Sequence, residues 1–520
     1  MDHPWDRRLG FWWIAEDAPG QPAVVASPSG VSLTFGGLAE RSHQLVNALR
    51  SRGLKPGDII AYALPNSVDV LYWQLAAQEG GFMFVSLNPA LSSAEIRTVV
   101  DHSGASAFVV HNHFQDRVDE IFGATSVRLR ISVGGPVEGF EAFEDLIRDQ
   151  PSTVPHPRVL GGPITYSSGT TGQPKAITRP LPELDPPVYT DSSKLFARAF
   201  RFLPMEGVHL VSAGMHHGGC QSFYLNALNV GQALAILGRF DAEETLRTIE
   251  RERVTTAYMV PTQFVRLLRL PEEIRAKYDV SSLQVVVHSA APCPKDIKQQ
   301  MMDWWGPVVW ETYGGMEGAA TIAKPHRWLE KPGTVGRAVA GMTVRILGDD
   351  GSELGPDEVG NVYLEPAVKT FEYRNDPELT ASITRGKAFT LGDMGYLDAD
   401  GYLFLCDRAK DMIISGGVNI YPAEVEGVLS GHPLVGDVGV IGVPDPEWGE
   451  QVKAVVELVA GASPSQELAE ELIRYSQERL GKYKCPRSID FRDSLPRTDG
   501  GKLYKRILRD EYWADAGRKV

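Results

Sequence analysis

The sequence predicts an α/β protein. It has a large N-terminal domain of α/β subdomains plus a β-rich subdomain, followed by a small α+β C-terminal domain. Three observations predict this. Helix and strand signals alternate over residues 20–160 and again over 241–309, the pattern of an open sheet covered by helices. After Gly333, the turn signals Asp349-Asp350-Gly351 and Asp398-Ala399-Asp400-Gly401 separate alternating apolar strands. After Lys410, roughly a hundred residues carry mixed signals, enough for a separate small domain. The expected boundaries are 1–409 and 410–520.

Each element rests on a local rule. Leu38 to Arg52 has helical apolar spacing and stops near Gly53. Asp58 to Leu64 reads as a strand closed by Pro65-Asn66. Ser92 and Glu95 form a capping box that opens a helix towards His102, and Ala107 to Val110 is the next strand. Further on, Asp241 to Glu252 reads as helix, Ala257 to Val260 as strand, Val285 to Val287 as strand and Lys295 to Trp305 as helix. Val308-Val309 is a strand again, and residues 181–192, rich in prolines and acids, read as an exposed loop.

The 520 residues exceed one simple core. A formal net charge of −14 gives no general affinity for nucleic acid or anionic lipid. An anionic substrate must therefore meet local positive groups. The four cysteines form no Cys-x-x-Cys pair, so no metal site is suggested and a reduced cytoplasm is the simplest compartment. The first residues lack the apolar run of a signal peptide, and no apolar stretch is long enough to span a bilayer.

One stretch organises the chemistry. Thr165-Tyr166-Ser167-Ser168-Gly169-Thr170-Thr171-Gly172-Gln173-Pro174-Lys175 packs five hydroxyl-bearing Ser and Thr residues, two glycines and a lysine between apolar Ile164 and Ala176-Ile177. Glycines let the backbone approach a ligand closely, and successive N–H groups in such a turn form an anion-binding nest. A phosphate chain is the natural guest. The spacing is not that of a Walker A loop, because the lysine falls three residues after the second glycine.

Other constellations sit at predicted strand ends, where open α/β sheets place ligands. Trp310 to Glu317 offers an aromatic ring for a purine face and a loop carboxylate that can hold Mg²⁺ together with phosphate oxygens. Met215-His216-His217-Gly218-Gly219 places two histidines beside glycines that leave side-chain space. Asp393 can accept from ribose hydroxyls and Arg408 can donate to ribose or phosphate. Ser415-Gly416-Gly417-Val418 allows close backbone approach to something thin, and Lys502 lies on a glycine-flexible loop near the C-terminus.

The Ser-Gly-Thr-Thr-Gly-x-Pro-Lys core over 168–175 closely resembles the phosphate loop of the adenylate-forming enzymes, and the later motifs recur in that family's order. The branch it most resembles is the acyl-CoA synthetases. The resemblance implies that ATP, Mg²⁺ and coenzyme A are used to turn a carboxylic acid into its thioester through acyl-AMP. It implies that Ser167, Ser168, Gly169, Thr170, Thr171, Gly172 and Lys175 cradle phosphates. Ser289, Ala290, Ala291 and Pro292 would line the adenine pocket with Tyr313 and Gly314, and Glu317 and Thr171 would hold magnesium. Asp393 and Arg408 would meet ribose or phosphate. His216 would lie beside the acyl carboxylate, Lys410 would be the pivot, and Gly416-Gly417 would border the pantetheine tunnel. Lys502 would bridge carboxylate and α-phosphate. Met316 and Leu391 stand where the family has Thr, which puts the hydroxyl contact of residue 316 to the α-phosphate in question. The expected acid is a medium- or long-chain fatty acid. A bulky aryl or steroid-type acid, transfer to a carrier protein, and a non-catalytic acyl or nucleotide sensor are the alternatives. Partners are small molecules, without nucleic acid or an integral membrane segment.

Overall fold

The computed structural model describes residues 4–122, 127–167, 175–368, 371–408, 410–415, 418–497 and 503–514. It divides into two compact units. One is Met1–Met259 with Val265–Val287 and Thr370–Thr380; the other is Val260–Phe264 with His288–Lys369 and Ala381–Val520.

The first unit holds a six-stranded parallel sheet in the order Glu141–Ala142, Leu129–Val133, Ala107–His111, Ile59–Ala63, Met83–Ser86, Gly162–Pro163. Ile59–Ala63 is buried along its whole length, as a central parallel strand covered on both faces requires. The expected capping box is present at Ser92 and Glu95 and starts the helix Ser93–Ser103. The helix Phe35–Ser51 buries Leu38, Leu45 and Leu49. A second set of parallel strands, Ala233–Ile236, Val208–Val211 and Thr256–Met259, lies side by side. Helix α1 (Gly218–Asn229) is the crossover between Val208–Val211 and Ala233–Ile236, which parallel pairing demands.

The exposed loop expected over 181–192 is only partly found. Pro186–Asp191 is a helix with proline at its start, and Pro186, Pro187 and Thr190 are buried. Proline suits a first helical turn, where its missing N–H would have had no partner.

In the second unit, helix α2 (Lys295–Trp305) runs over the predicted residues. It leads into strand β1 (Val309–Gly315), which pairs antiparallel with β2 (Gly318–Ala323). The sheet continues through Thr334–Ala338 to β4 (Leu403–Arg408), β3 (Ala388–Leu397), Gly360–Pro366 and Met342–Leu347, all antiparallel. The expectation of a loop at Trp310 to Glu317 is corrected here. Trp310 to Gly315 belong to β1, and only Met316-Glu317 turn between the strands.

Residues beyond 410 form a five-stranded sheet. Its order is Val418–Ile420, Ile413–Ser415, Gly449–Leu458, Val435–Asp445, with Ser488–Phe491 parallel to Gly449–Leu458. Ile413, Val425, Leu429, Val440, Val452 and Leu472 make its core. Helix α3 (Lys505–Trp513) packs against Val435–Asp445. Among the described residues no helix is long and apolar enough to cross a membrane.

Candidate active site

In the second unit the predicted nucleotide residues gather at adjoining strand ends. The β1–β2 hairpin changes register between Tyr313 and Gly314, a bulge that re-aims the side chains beside it. Gly314 is obligatory, because a Cβ there would lie 2.4 Å from the Gly318 carbonyl oxygen. At Gly315 a Cβ would lie 2.4 Å from Glu317 Oε2, so the bare backbone makes room for that carboxylate.

Tyr313 donates its hydroxyl to Asp393 Oδ2 at 2.7 Å. Burial, and then the Asp393 charge, push the Tyr313 phenol well above its ordinary value, so it stays a donor. Asp393 and Arg408 are directly opposed on β3 and β4, with Arg408 Nε 3.7 Å from Asp393 Oδ1. Ser289 donates to the Thr312 carbonyl at 2.7 Å and ties the strand end after His288 to β1. Ala290 adopts φ +74, a left-handed backbone that a non-glycine residue holds only under local strain, as functional turns often do. Ala291 and Pro292 follow it in the same irregular segment.

Glu317 is 9 % exposed at the hairpin tip. Among the described residues no three His, Cys, Asp or Glu side chains converge as a metal cage. A single carboxylate fits Mg²⁺ that completes its shell with phosphate oxygens and water.

The first unit carries the histidine loop. Buried Asn66 pins it: its amide nitrogen donates to the Ala213 and Leu237 carbonyls, each at 2.9 Å, and its amide oxygen accepts from Met215 N–H at 2.7 Å. Sequence reading had given Asn66 only the part of a strand terminator. His216 packs its ring against His217 at 4.1 Å and a tilt of 48°, in space that a Cβ on Gly214 would invade at 2.4 Å. Burial, and then His217, lower the His216 pKa to about 3. His216 is therefore a neutral imidazole, and its Nε2 has no protein partner. The side-chain space expected beside Gly219 at the α1 N-terminus is already taken: a Cβ there would lie 2.5 Å from the Tyr258 hydroxyl.

Lys175 pairs directly with Ser167 across a short antiparallel ladder, and Tyr166 hydrogen-bonds His102 Nδ1 at 2.8 Å. Ser168, Gly169, Thr170, Thr171 and Gly172 lie outside the described residues, as do Gly416, Gly417 and Lys502. The Lys410 carbonyl accepts from Arg509 of α3 at 2.7 Å.

The AMP-binding enzyme family model matches residues 11–367, and the AMP-binding enzyme C-terminal domain model matches 424–502. The chain belongs to the AMP-binding enzyme family. Its architecture is thus a large N-terminal α/β domain and a small C-terminal one. A feruloyl-CoA synthase from Amycolatopsis sp is 33% identical over 97% of this chain and 99% of its own. An indoleacetate–CoA ligase of Aromatoleum aromaticum is 31% identical over 96% and 97%. A long-chain-fatty-acid–CoA ligase of Mycobacterium tuberculosis is 29% identical over 97% and 98%. The protein is an AMP-forming acid–thiol ligase of the acyl- or aryl-CoA kind, with ATP, Mg²⁺ and coenzyme A as its cosubstrates and cofactor.

Proposed function

We propose that this ligase activates a ring-bearing carboxylic acid, in place of the fatty acid the sequence suggested. The carrying observation is the bare α1 N-terminus, where Gly219 faces the Tyr258 hydroxyl so closely that no side chain fits between them. Tyr258 itself stacks on Phe223 at 5.0 Å and 30°. A rigid aromatic wall beside the His216 loop suits a flat ring better than a flexible alkyl chain. The two nearer of the three relatives named above act on ring acids by name.

The acid carboxylate attacks the α-phosphorus of ATP, the bond to pyrophosphate breaks, and the mixed anhydride forms. The thiolate of coenzyme A then attacks the acyl carbonyl and AMP leaves. The first displacement calls for positioning and charge stabilisation, not for a protein nucleophile. In this reading Tyr313 and Gly314 face adenine together with Ser289 to Pro292, and Asp393 and Arg408 hold the ribose. Glu317 and Thr171 would hold Mg²⁺, which would offset charge on the phosphates. Lys175 and the loop Ser167 to Gly172 bind the phosphate chain. His216, being neutral, offers an uncharged hydrogen bond to the acyl carboxylate. Lys502 bridges carboxylate and α-phosphate. Residues 410–520 act as the moving domain about Lys410, with Gly416-Gly417 along the pantetheine path.

Release of AMP dependent on coenzyme A, measured over a panel of acids, tests the choice of substrate. Ferulate, indoleacetate and benzoate derivatives should exceed octanoate and palmitate in kcat/KM by about tenfold or more. The opposite ranking returns the fatty-acid reading.

A further inference from the structure

Behind the nucleotide strands lies a polar cluster that the reaction above does not use. Lys298, on α2, is fully buried, and its ammonium donates to Glu311 Oε2 on β1 at 2.7 Å. The same ammonium lies 4.8 Å from the centre of the Trp328 ring. His288 Nε2 stands 3.5 Å from the same carboxylate oxygen. Burial and the Lys298 charge hold His288 well below its ordinary value, so it is neutral, and neither of its ring nitrogens has a hydrogen-bond partner.

This is an expensive arrangement for a scaffold. Burying an ion pair against apolar neighbours is often no more stabilising than packing hydrophobic side chains of similar volume. An unsatisfied buried histidine is likewise unusual in a merely structural core. Lys298 occupies a position on α2 whose other buried members are Met301, Met302 and Trp305, where an apolar residue would be the default. The location supplies a reason. Glu311 lies two residues before Tyr313 on β1, so both side chains leave the same face of the strand. Thr312, between them, is the acceptor for Ser289. His288 immediately precedes Ser289 and touches the same carboxylate, so one ion pair braces both strand ends at the nucleotide site.

We propose that the Lys298–Glu311 pair is a positioning device for ATP. It fixes the register of α2, β1 and the His288 strand end so that Ser289, Thr312 and Tyr313 meet the purine in one geometry. The proposal rests on the reading of Tyr313 as an adenine contact.

The test is calorimetric binding of ATP with MgCl₂, which needs no knowledge of the acid, alongside thermal unfolding. Glu311→Gln keeps the shape and a hydrogen bond but removes the charge. The pair Lys298→Met with Glu311→Leu replaces both ions by apolar groups. We expect the double variant to melt at or above the parent temperature and still bind ATP about tenfold more weakly, with coenzyme A affinity unmoved. Glu311→Gln should weaken ATP binding in the same sense, and it decides the matter if the double variant does not fold. Parental ATP affinity in a folded variant overturns the proposal, because the pair would then be structural alone. Tyr313→Ala is the control for the underlying reading. If it leaves ATP affinity unchanged, the adenine assignment fails and takes this role with it. If it weakens binding while the pair variants do not, only the positioning role fails.

Discussion

The strand ends at Tyr313 and the loop at His216 handle polarity in opposite ways. Around Tyr313 charge is kept and paired: Asp393 accepts from the phenol and stands beside Arg408, and Glu311 is held by Lys298. Around His216, among the described residues, charge is excluded. The imidazole pKa is lowered to about 3, and the neighbours of the loop are Asn66, Tyr224, Tyr258 and glycines. The difference follows the chemistry each region would meet. A nucleotide brings charges that must be matched and held in position. An acyl group brings apolar surface that gains from a dry, neutral wall.

The contrast is broken most directly at the phosphate side. Lys502→Ala should lower ATP–pyrophosphate exchange by about a thousandfold, the scale of losing one preorganised charge contact. Thioester formation from supplied acyl-AMP should persist. Equal loss of both steps in a folded variant would mean that charge serves the whole cycle and not the phosphate alone. On the acyl side, Gly219→Ala forces a methyl onto the Tyr258 hydroxyl and should raise KM for the acid by about tenfold while leaving KM for ATP alone. Adding Tyr258→Phe should return part of that loss. A Gly219 variant that raises KM for ATP instead would erase the proposed division between the two regions. Smaller again, Tyr313→Phe removes the hydrogen bond to Asp393 and should weaken ATP binding about fivefold, because only part of the worth of that intramolecular bond is passed on to the ligand. An unchanged ATP affinity would make that contact incidental.

Much of this was legible in the residues. The Ser92–Glu95 box, the α2 limits and the apolar strands follow from rules acting within a few positions, and all of them appear. The misreadings share a cause: local composition pointed one way and context another. Prolines at 186 and 187 looked like loop, yet proline is welcome in a first helical turn. Trp310 to Glu317 reads as following a strand, yet Trp310 to Gly315 continue it, and Gly314 and Gly315 serve a tight hairpin in which side chains would collide. Asn66 was missed because its partners are distant in the chain, and the Lys298–Glu311 pair because its members sit 13 positions apart on a helix and the following strand. Asn66 bonds across about 150 positions to Met215, and no local pattern encodes that. Lys298 did leave a trace. A lysine in register with Met301, Met302 and Trp305 on one helical face is an anomaly in an apolar stripe, and a buried acidic partner is its physical explanation.

Both regions hold a buried neutral histidine, His288 behind the Tyr313 strand ends and His216 in its loop, and acid acts on stability through such groups. His216 and the fully buried His209 both have pKa values lowered to about 3, chiefly by burial. In the unfolded chain a histidine titrates near its ordinary value of about 6.5. Below that pH the unfolded state takes up protons that the native state refuses, so stability is full above about 6.5 and falls as pH drops towards 3. Each such histidine contributes a slope of at most about 1.4 kcal/mol per pH unit in that window. His216→Gln removes one titrating group, so the loss of stability between pH 7 and pH 5 should shrink by at most about 2 kcal/mol. Urea unfolding at the two pH values measures it. An undiminished acid loss in this variant would mean that the native His216 accepts its proton readily, and the wall beside the acid would then be wetter and more polar than its neighbours suggest.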